Sequence, residues 1–399
     1  LAAMTRSMPV VEMELAPGES RTLPPLPLCD APLVVVTGRH GAWSCADGRA
    51  MLSIDVPLPR DAERARHWRA SLPGKLHDAL PECAPGMRLS SGGIRVVAAA
   101  ARGFARLAGR ESLEAADIRR ACRTLQSARL ETLATRLEAK GVLADLSVDE
   151  ATREELDALV ARCRYREQLA ADAAAVADGS IGVRALFGGP SGCGKTLAAR
   201  LLAADIGKDL YRIDLSATVN KYLGETEKSL NRALNAAEEL DVVLLLDEGD
   251  SLMANRTGVG SSNDRYANLE TNFLLQRIES FEGILVVTTN AVDRIDHAFA
   301  RRMDVVVNFR APDAWLRFEI LKRHLGPGAI DDAWLEDAAS RCALSGGQWR
   351  NVVTHARLLA LRTGMAVAEE HLHAALAREY RKTGASCPLR AVQARRCPR

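Results

Sequence analysis

The stretch Gly188-Gly-Pro-Ser-Gly-Cys-Gly-Lys-Thr196 restricts what this chain can fold into more than any other. It follows Arg184-Ala-Leu-Phe-Gly188, a short apolar run of the kind that forms a buried parallel strand. It precedes Leu197-Ala-Ala-Arg-Leu-Leu-Ala-Ala-Asp205, a run of strong helix formers. Strand, glycine-rich turn and helix together make the G-x-x-x-x-G-K-[ST] pattern a phosphate loop. Gly189, Gly192 and Gly194 let the backbone curl so that N–H groups point inward at phosphate oxygens. The helix N-terminus, opening at Leu197, adds partial positive charge. Lys195 is expected to reach the β- and γ-phosphates, and the Thr196 hydroxyl to hold Mg2+. Pro190, Ser191 and Cys193 occupy variable positions, so no redox role is read into Cys193.

About fifty residues on, Asp241-Val-Val-Leu-Leu-Leu-Asp247-Glu248 reads as a buried strand ending in two carboxylates. Asp247 suits the orientation of Mg2+ through its water shell, and Glu248 suits polarising an attacking water. Asp250, just beyond, reads as a helix cap or a structural acid. Gly283-Ile-Leu-Val-Val-Thr-Thr-Asn290 is another buried strand with a polar tip. An Asn there can hydrogen-bond both the water and the γ-phosphate, although an Asn ending a strand is often only turn chemistry.

With these motifs in this order, residues 150–385 resemble the AAA ATPases. Leu210-Tyr-Arg-Ile-Asp-Leu-Ser216 and Lys221-Tyr-Leu-Gly-Glu-Thr-Glu227 are similar to that family's second strand and first pore loop. Asp293-Arg-Ile-Asp-His-Ala-Phe-Ala-Arg-Arg-Met-Asp304 is similar to its second region of homology. The resemblance implies ATP and Mg2+ as ligands, with Asn290 as sensor 1. It implies arginine fingers at Arg301 and Arg302, reaching into a neighbouring subunit's nucleotide, or else a solvated basic corner. It implies an aromatic–aliphatic pair, Tyr222 and Leu223, gripping polypeptide in a central pore, unless the pair is loop packing. Arg350, in Leu344-Ser-Gly-Gly-Gln-Trp-Arg350, fits sensor 2, and Ile181, Gly182 and Val183 fit the adenine position. Asn255–Asn263 is polar and glycine-rich, hence a second pore-facing loop or plain disorder. The segments Asp264–Asn272 and Leu274–Arg277 also resemble a bacterial AAA subgroup associated with contractile injection systems.

The rest of the chain is read from pattern and self-similarity. Leu89-Ser-Ser-Gly-Gly-Ile-Arg95 is similar to Leu344–Arg350, with Arg95 and Arg350 lying 255 positions apart. Pro59 and Pro312 sit in similar contexts 253 apart, and Leu33-Val-Val-Val-Thr-Gly38 parallels Leu285–Asn290 at about 252. Residues 33–125 therefore read as a degenerate partial AAA-like region with a helical lid, lacking its own phosphate loop and with Gly38 in place of the Asn. Chance similarity in an Ala/Arg-rich chain is the alternative. The remaining divisions are an irregular segment at 1–32, a helical connector at 126–178, the AAA core at 179–312, a lid at 313–380 and a basic flexible tail at 381–399. The connector rests on Leu130, Leu133 and Leu137, then Leu156, Leu159 and Val160, at helical spacing. A chain starting with Leu suggests a clipped tandem protein. The expected fold class is thus α/β: a P-loop NTPase parallel-sheet core with a C-terminal helical lid, preceded by the degenerate α/β-plus-helical segment.

Composition narrows the partners. A net charge of +2 with 26% charged residues gives no electrostatic case for nucleic acid. Nine scattered cysteines, none in C-x-x-C spacing, predict neither disulfide framework nor zinc site, and suit a reducing cytoplasm. No apolar run approaches the roughly 20 residues of a membrane span, and Leu1–Val10 does not read as a signal peptide. The expectation is a cytoplasmic ATPase, converting ATP and water to ADP and phosphate. As the resemblance implies, it would form a homo-oligomeric ring, six-membered in the family, acting on a protein substrate. An ATP-gated scaffold with little turnover is the alternative, disfavoured by Glu248. A DNA-directed motor is disfavoured by charge.

Overall fold

Three runs, Val183–Gly188, Val243–Asp247 and Ile284–Thr289, are apolar almost throughout. Such strands are stable only where both sheet faces are covered, which is the setting of a parallel sheet between helices. The computed structural model describes residues 8–13, 15, 19–25, 32–38, 41–72, 87–131, 133–173, 181–214, 225–250, 275–291 and 297–389. In chain order its strands are β1 (Val10–Met13), β2 (Ser20–Leu23), β3 (Val34–Thr37), β4 (Ala42–Cys45), β5 (Thr135–Leu137), β6 (Val183–Gly188), β7 (Leu210–Asp214), β8 (Val243–Asp247), β9 (Ile284–Thr289) and β10 (Val305–Asn308).

Residues 1–129 with 222–240 form one compact unit, and residues 130–221 with 241–399 form a second. The second unit holds a six-stranded sheet in the order β10-β6-β9-β8-β7-β5. Five strands are parallel, and β5 closes the edge antiparallel to β7. Gly188 sits opposite Thr289 and Asp214 opposite Asp247, so β6, β7, β8 and β9 end along one sheet edge. The chain leaves β6 between two strands that come later in sequence, a topological switch point where such sheets bind ligands. Leu156, Leu159, Val160 and Leu202 share one core with Val183, Ala185, Phe187 and Val286. Each fully buried Val, Leu or Phe among them contributes about 1.5–3 kcal/mol.

The segment read as a helical connector is more than that. Leu137 lies in β5, and Leu156, Leu159 and Val160, on the helix Glu150–Ala173, are buried in the sheet's own core. A three-residue edge strand has too few positions to show a period of two, so the spacing of Leu130, Leu133 and Leu137 mimicked a helix.

Beyond β10 come helices Ala314–Leu325, Asp332–Arg341, Gly346–Thr363 and Glu369–Lys382, closed around Trp349, Ala356 and Leu372. The stops are chemical. Asp313 accepts from Leu316 N at 2.8 Å, Ser345 and Gln348 form a capping box, and Gly364 ends its helix at φ +68°. The tail begins later than its charge suggested. Arg381 and Lys382 finish the last helix, and Leu389 is buried in the helical core with its carbonyl 3.1 Å from His373 Nε2. Cys387 and Leu389, apolar residues among the basic ones, anchor this segment to the helical core.

In the first unit β1 pairs with β3 and β2 with β4, both parallel. The segment 1–32 thus contains two strands, each only four residues long, between prolines that mask any alternation. Helices Asp61–Ser71, Ser91–Leu107 and Ala115–Leu130 pack around Trp68, Ile94 and Ile118. Several details recur in the two helical sets. Arg64 NH1 donates to Pro59 O at 2.8 Å, as Arg317 NH1 does to Pro312 O at 3.1 Å. Ser90 caps Ser91–Leu107 as Ser345 caps Gly346–Thr363, and Gly109 and Gly364 follow at φ +70° and +68°. No helix among the described residues is long and apolar enough to cross a membrane.

Candidate functional site

The loop after β6 is shaped by glycines that no other residue replaces without strain. Gly189, Gly192 and Gly194 have φ of +144°, +80° and +99°. A Cβ on Gly189 would lie 2.1 Å from Phe309 O, and one on Gly192 would lie 2.6 Å from Ser345 Oγ. The loop is therefore held from both sides, by Phe309 at the end of β10 and by the start of helix Gly346–Thr363. Gly347 N donates to Gly192 O at 3.0 Å. Pro190 and Ser191 are exposed, Thr196 is half-buried and Leu197 is 47% exposed. Cys193 is half-buried, and burial pushes its thiol pKa up, away from reactivity.

Lys195 opens the helix Lys195–Asp205 and is only 8% exposed. Its ammonium donates to Gly189 O at 2.6 Å, Pro190 O at 2.8 Å and Asn290 Oδ1 at 2.9 Å. All three acceptors are neutral, so among the described residues the buried cation has no hydrogen-bonded carboxylate, and burial pushes its pKa down. A buried cation bonded, among the described residues, to neutral oxygens alone and set beside curled glycine amides fits a polyphosphate.

The carboxylates stand at the neighbouring strand ends. Asp247 closes β8, accepts from Thr288 Oγ1 at 2.6 Å, and lies 3.7 Å from Arg212 NH1 on β7. Glu248 is exposed at φ +57°, an unusual conformation for a side chain of that size. Its N–H bonds Thr288 Oγ1 at 3.2 Å, and Gly249 N bonds Thr288 O at 2.9 Å. The strand tip thus turns Glu248 away from the ladder while Asp247 stays in it. Asp247 and Thr196 supply the oxygen donors a hard divalent cation prefers.

A family model described as "ATPase family associated with various cellular activities (AAA)" matches residues 185–311. Residues 185–311 are an AAA ATPase domain. Over 218 residues the chain is 34% identical to an uncharacterized AAA family ATPase of Sinorhizobium fredii, covering 53% of this chain and 63% of the relative. It is 30% identical over 188 residues to a 26S proteasome regulatory subunit 10B homolog of Arabidopsis thaliana, covering 44% and 47%. It is 34% identical over 184 residues to a chloroplastic ATP-dependent zinc metalloprotease of the same plant, covering 44% and 26%. The chain thus spans less than two thirds of each of these relatives.

Within the AAA domain the structure brings Lys195, Asp247, Glu248 and Asn290 to one sheet edge. It separates the two arginines. Arg302 Nε pairs with Glu279, whereas Arg301 is exposed and makes no ion pair among the described residues. Asp304 anchors their corner, accepting from Arg184 N and Arg184 Nε at 2.9 Å each and from Arg162 at 2.8 Å. Val183 departs from its expected place beside adenine: it is 1% exposed in the sheet core, with its N–H on Gly283 O at 2.9 Å. Being the first residue of a central strand, it is claimed by the ladder. Gly182 is buried and Ile181 half-buried. Arg350 is exposed on the first turns of Gly346–Thr363, the helix whose start touches Gly192. Tyr222, Leu223, Asn255–Asn263 and Asp264–Asn272 lie outside the described residues.

Thr288 and Arg212 escaped the reading of the sequence. The signal for Thr288 was present, since paired threonines end an otherwise apolar strand. Arg212 had none, because only the sheet order sets β7 beside β8.

Proposed function

We propose that this chain binds ATP with Mg2+ and hydrolyses it as one subunit of a ring that remodels protein substrates. The observation that carries the reading is the gathering of Lys195, Asp247, Glu248 and Asn290 at adjoining strand ends around a glycine-curled loop. The loop amides from Gly189 to Thr196 and the Lys195 ammonium bind the phosphates, and Leu197 N–H continues that cradle. Thr196 and Asp247 hold Mg2+, which when bound neutralises charge on the phosphate oxygens. Glu248, turned out of the strand, orients and polarises the attacking water. Asn290 holds that water and the γ-phosphate in line. Ile181 and Gly182 take the adenine, and Arg350 reports the nucleotide to the lid.

Arginine fingers complete the site in trans. Exposure, and no ion pair among the described residues, favour Arg301 as the main finger, with Arg302 held by Glu279. Tyr222 and Leu223 grip an extended polypeptide in the pore of a ring, six-membered by family likeness. Segments similar to those of injection-system ATPases suggest where such a motor works, and the scattered cysteines favour the cytoplasm. The matching caps, glycine stops and Arg–Pro contacts of the two helical sets support reading 33–125 as a degenerate, non-hydrolysing copy of the module's back half.

The test is Glu248→Gln. Phosphate release should vanish while binding of a fluorescent ATP analogue survives and the protein enlarges on sizing with ATP. Undiminished phosphate release would reject the role of Glu248. Assembly on ATP by a wild type that releases no phosphate would favour the scaffold reading.

A further inference from the structure

Asp250 lies three residues beyond the end of β8 and is half-buried. One carboxylate oxygen, Oδ1, gathers three donors from three consecutive residues at the tip of β9. Thr289 Oγ1 donates to it, as do Asn290 N at 2.9 Å and Ala291 N at 3.3 Å. Ala291 N is shared with Thr289 Oγ1 at 3.1 Å, so the turn is tied to itself as well as to Asp250. An Asn at a strand end has freedom to turn either way. Here its backbone is clamped, and its side-chain oxygen meets Lys195 Nζ at 2.9 Å.

We propose that Asp250 is a positioning residue for ATP hydrolysis, setting the backbone of Asn290 so that its amide faces the phosphate loop. The proposal rests on the ATPase reading above. Asp250 touches neither Lys195 nor Asp247 through a hydrogen bond among the described residues; it acts through residues 289–291. A carboxylate serves this better than a neutral acceptor because charge-assisted hydrogen bonds to backbone N–H are the stronger ones. The role differs from a helix cap, since the donors belong to another strand.

Two substitutions separate positioning from general support. Asp250→Ala removes the acceptor, and displacing Asn290 should lower kcat about 100-fold while the affinity for a fluorescent ATP analogue stays within about threefold. Asp250→Asn keeps an oxygen acceptor and loses only charge assistance, so kcat should stay within about fivefold of wild type. Wild-type kcat in Asp250→Ala, or equal loss in both variants, would overturn the proposal. Backbone amide exchange at Asn290 and Ala291 supplies a readout independent of turnover. It should quicken in Asp250→Ala and hold in Asp250→Asn, and unchanged exchange would overturn the clamp even in a protein that hydrolyses nothing. A wild type without phosphate release would count against the ATPase reading alone. If Asp250→Ala loses its cooperative melt, Thr289→Val removes one donor of the same clamp and should reproduce the kcat loss; full activity in it would overturn the proposal.

Discussion

Lys195 Nζ donates to Asn290 Oδ1 at 2.9 Å, joining the glycine-rich loop after β6 to the tip of β9. The two residues are 95 positions apart, and β6 and β9 bring them together by pairing Gly188 with Thr289. On the proposed function the contact links binding to hydrolysis, because the cation assigned to the phosphates and the amide assigned to the water share one hydrogen bond. Asn290→Ala is expected to lower kcat by about 100-fold, as loss of a preorganised donor does. Nucleotide affinity should change far less; phosphate release and analogue titration on the same preparation check both.

Arg301→Ala should cut turnover by about 1000-fold with affinity intact, the scale of a missing finger. Arg302→Ala, which releases Glu279, should cost about tenfold or less because its guanidinium is already engaged. Steady-state kinetics at ring-forming concentration decide between them, and a larger loss for Arg302 would reverse the assignment.

Gly192→Ala places a Cβ 2.6 Å from Ser345 Oγ at φ +80°. Strain of about 1–3 kcal/mol is expected, with the lid helix displaced from the loop. The melting temperature should fall, and ATP affinity should drop more steeply than for Gly207→Ala. Gly207 has a similar φ, +71°, but no atom within 4 Å of an added Cβ.

Asp241 sits at the start of the β8 run between Arg166 and Lys208, with side-chain exposures of 4%, 5% and 15%. Asp241→Ala leaves two cations without their carboxylate and should destabilise the protein by about 3–5 kcal/mol. Chemical denaturation measures it; a loss below about 1 kcal/mol would show that water reaches the pair.

Asp117 accepts from Arg110 NH1 and NH2 at 2.8 Å each and from Glu114 N at 3.0 Å. The Arg110 hydrogen bonds, against an opposing burial effect, hold its carboxyl below the ordinary 3.8. With the folded pKa below the unfolded one, the stabilisation is complete above the unfolded value and disappears as pH falls through the folded value. Asp117→Asn should cost about 1–2 kcal/mol near neutrality and nothing at the acid end. Melts across pH 2 to 7, about the range where carboxylates titrate, should show the two curves converging in acid.

The sequence by itself determined the local chemistry. The glycine-rich loop and the apolar strands with their polar tips are contiguous stretches whose residue types dictate their backbone, and so are the caps of the helices beyond β10. Partnership was decided by tertiary structure. Thr288 bridging Asp247 and Glu248, Asp250 clamping residues 289–291, and Gly192 meeting Ser345 all join segments far apart in the chain. Nothing local encodes such contacts, because they follow from strand order and register. The same reason explains β5 and Val183. A three-residue strand exists only because β7 offers an open edge, and Val183 is buried because Ile284 lies opposite it. Local propensity selects the elements; the sheet selects which side chains meet.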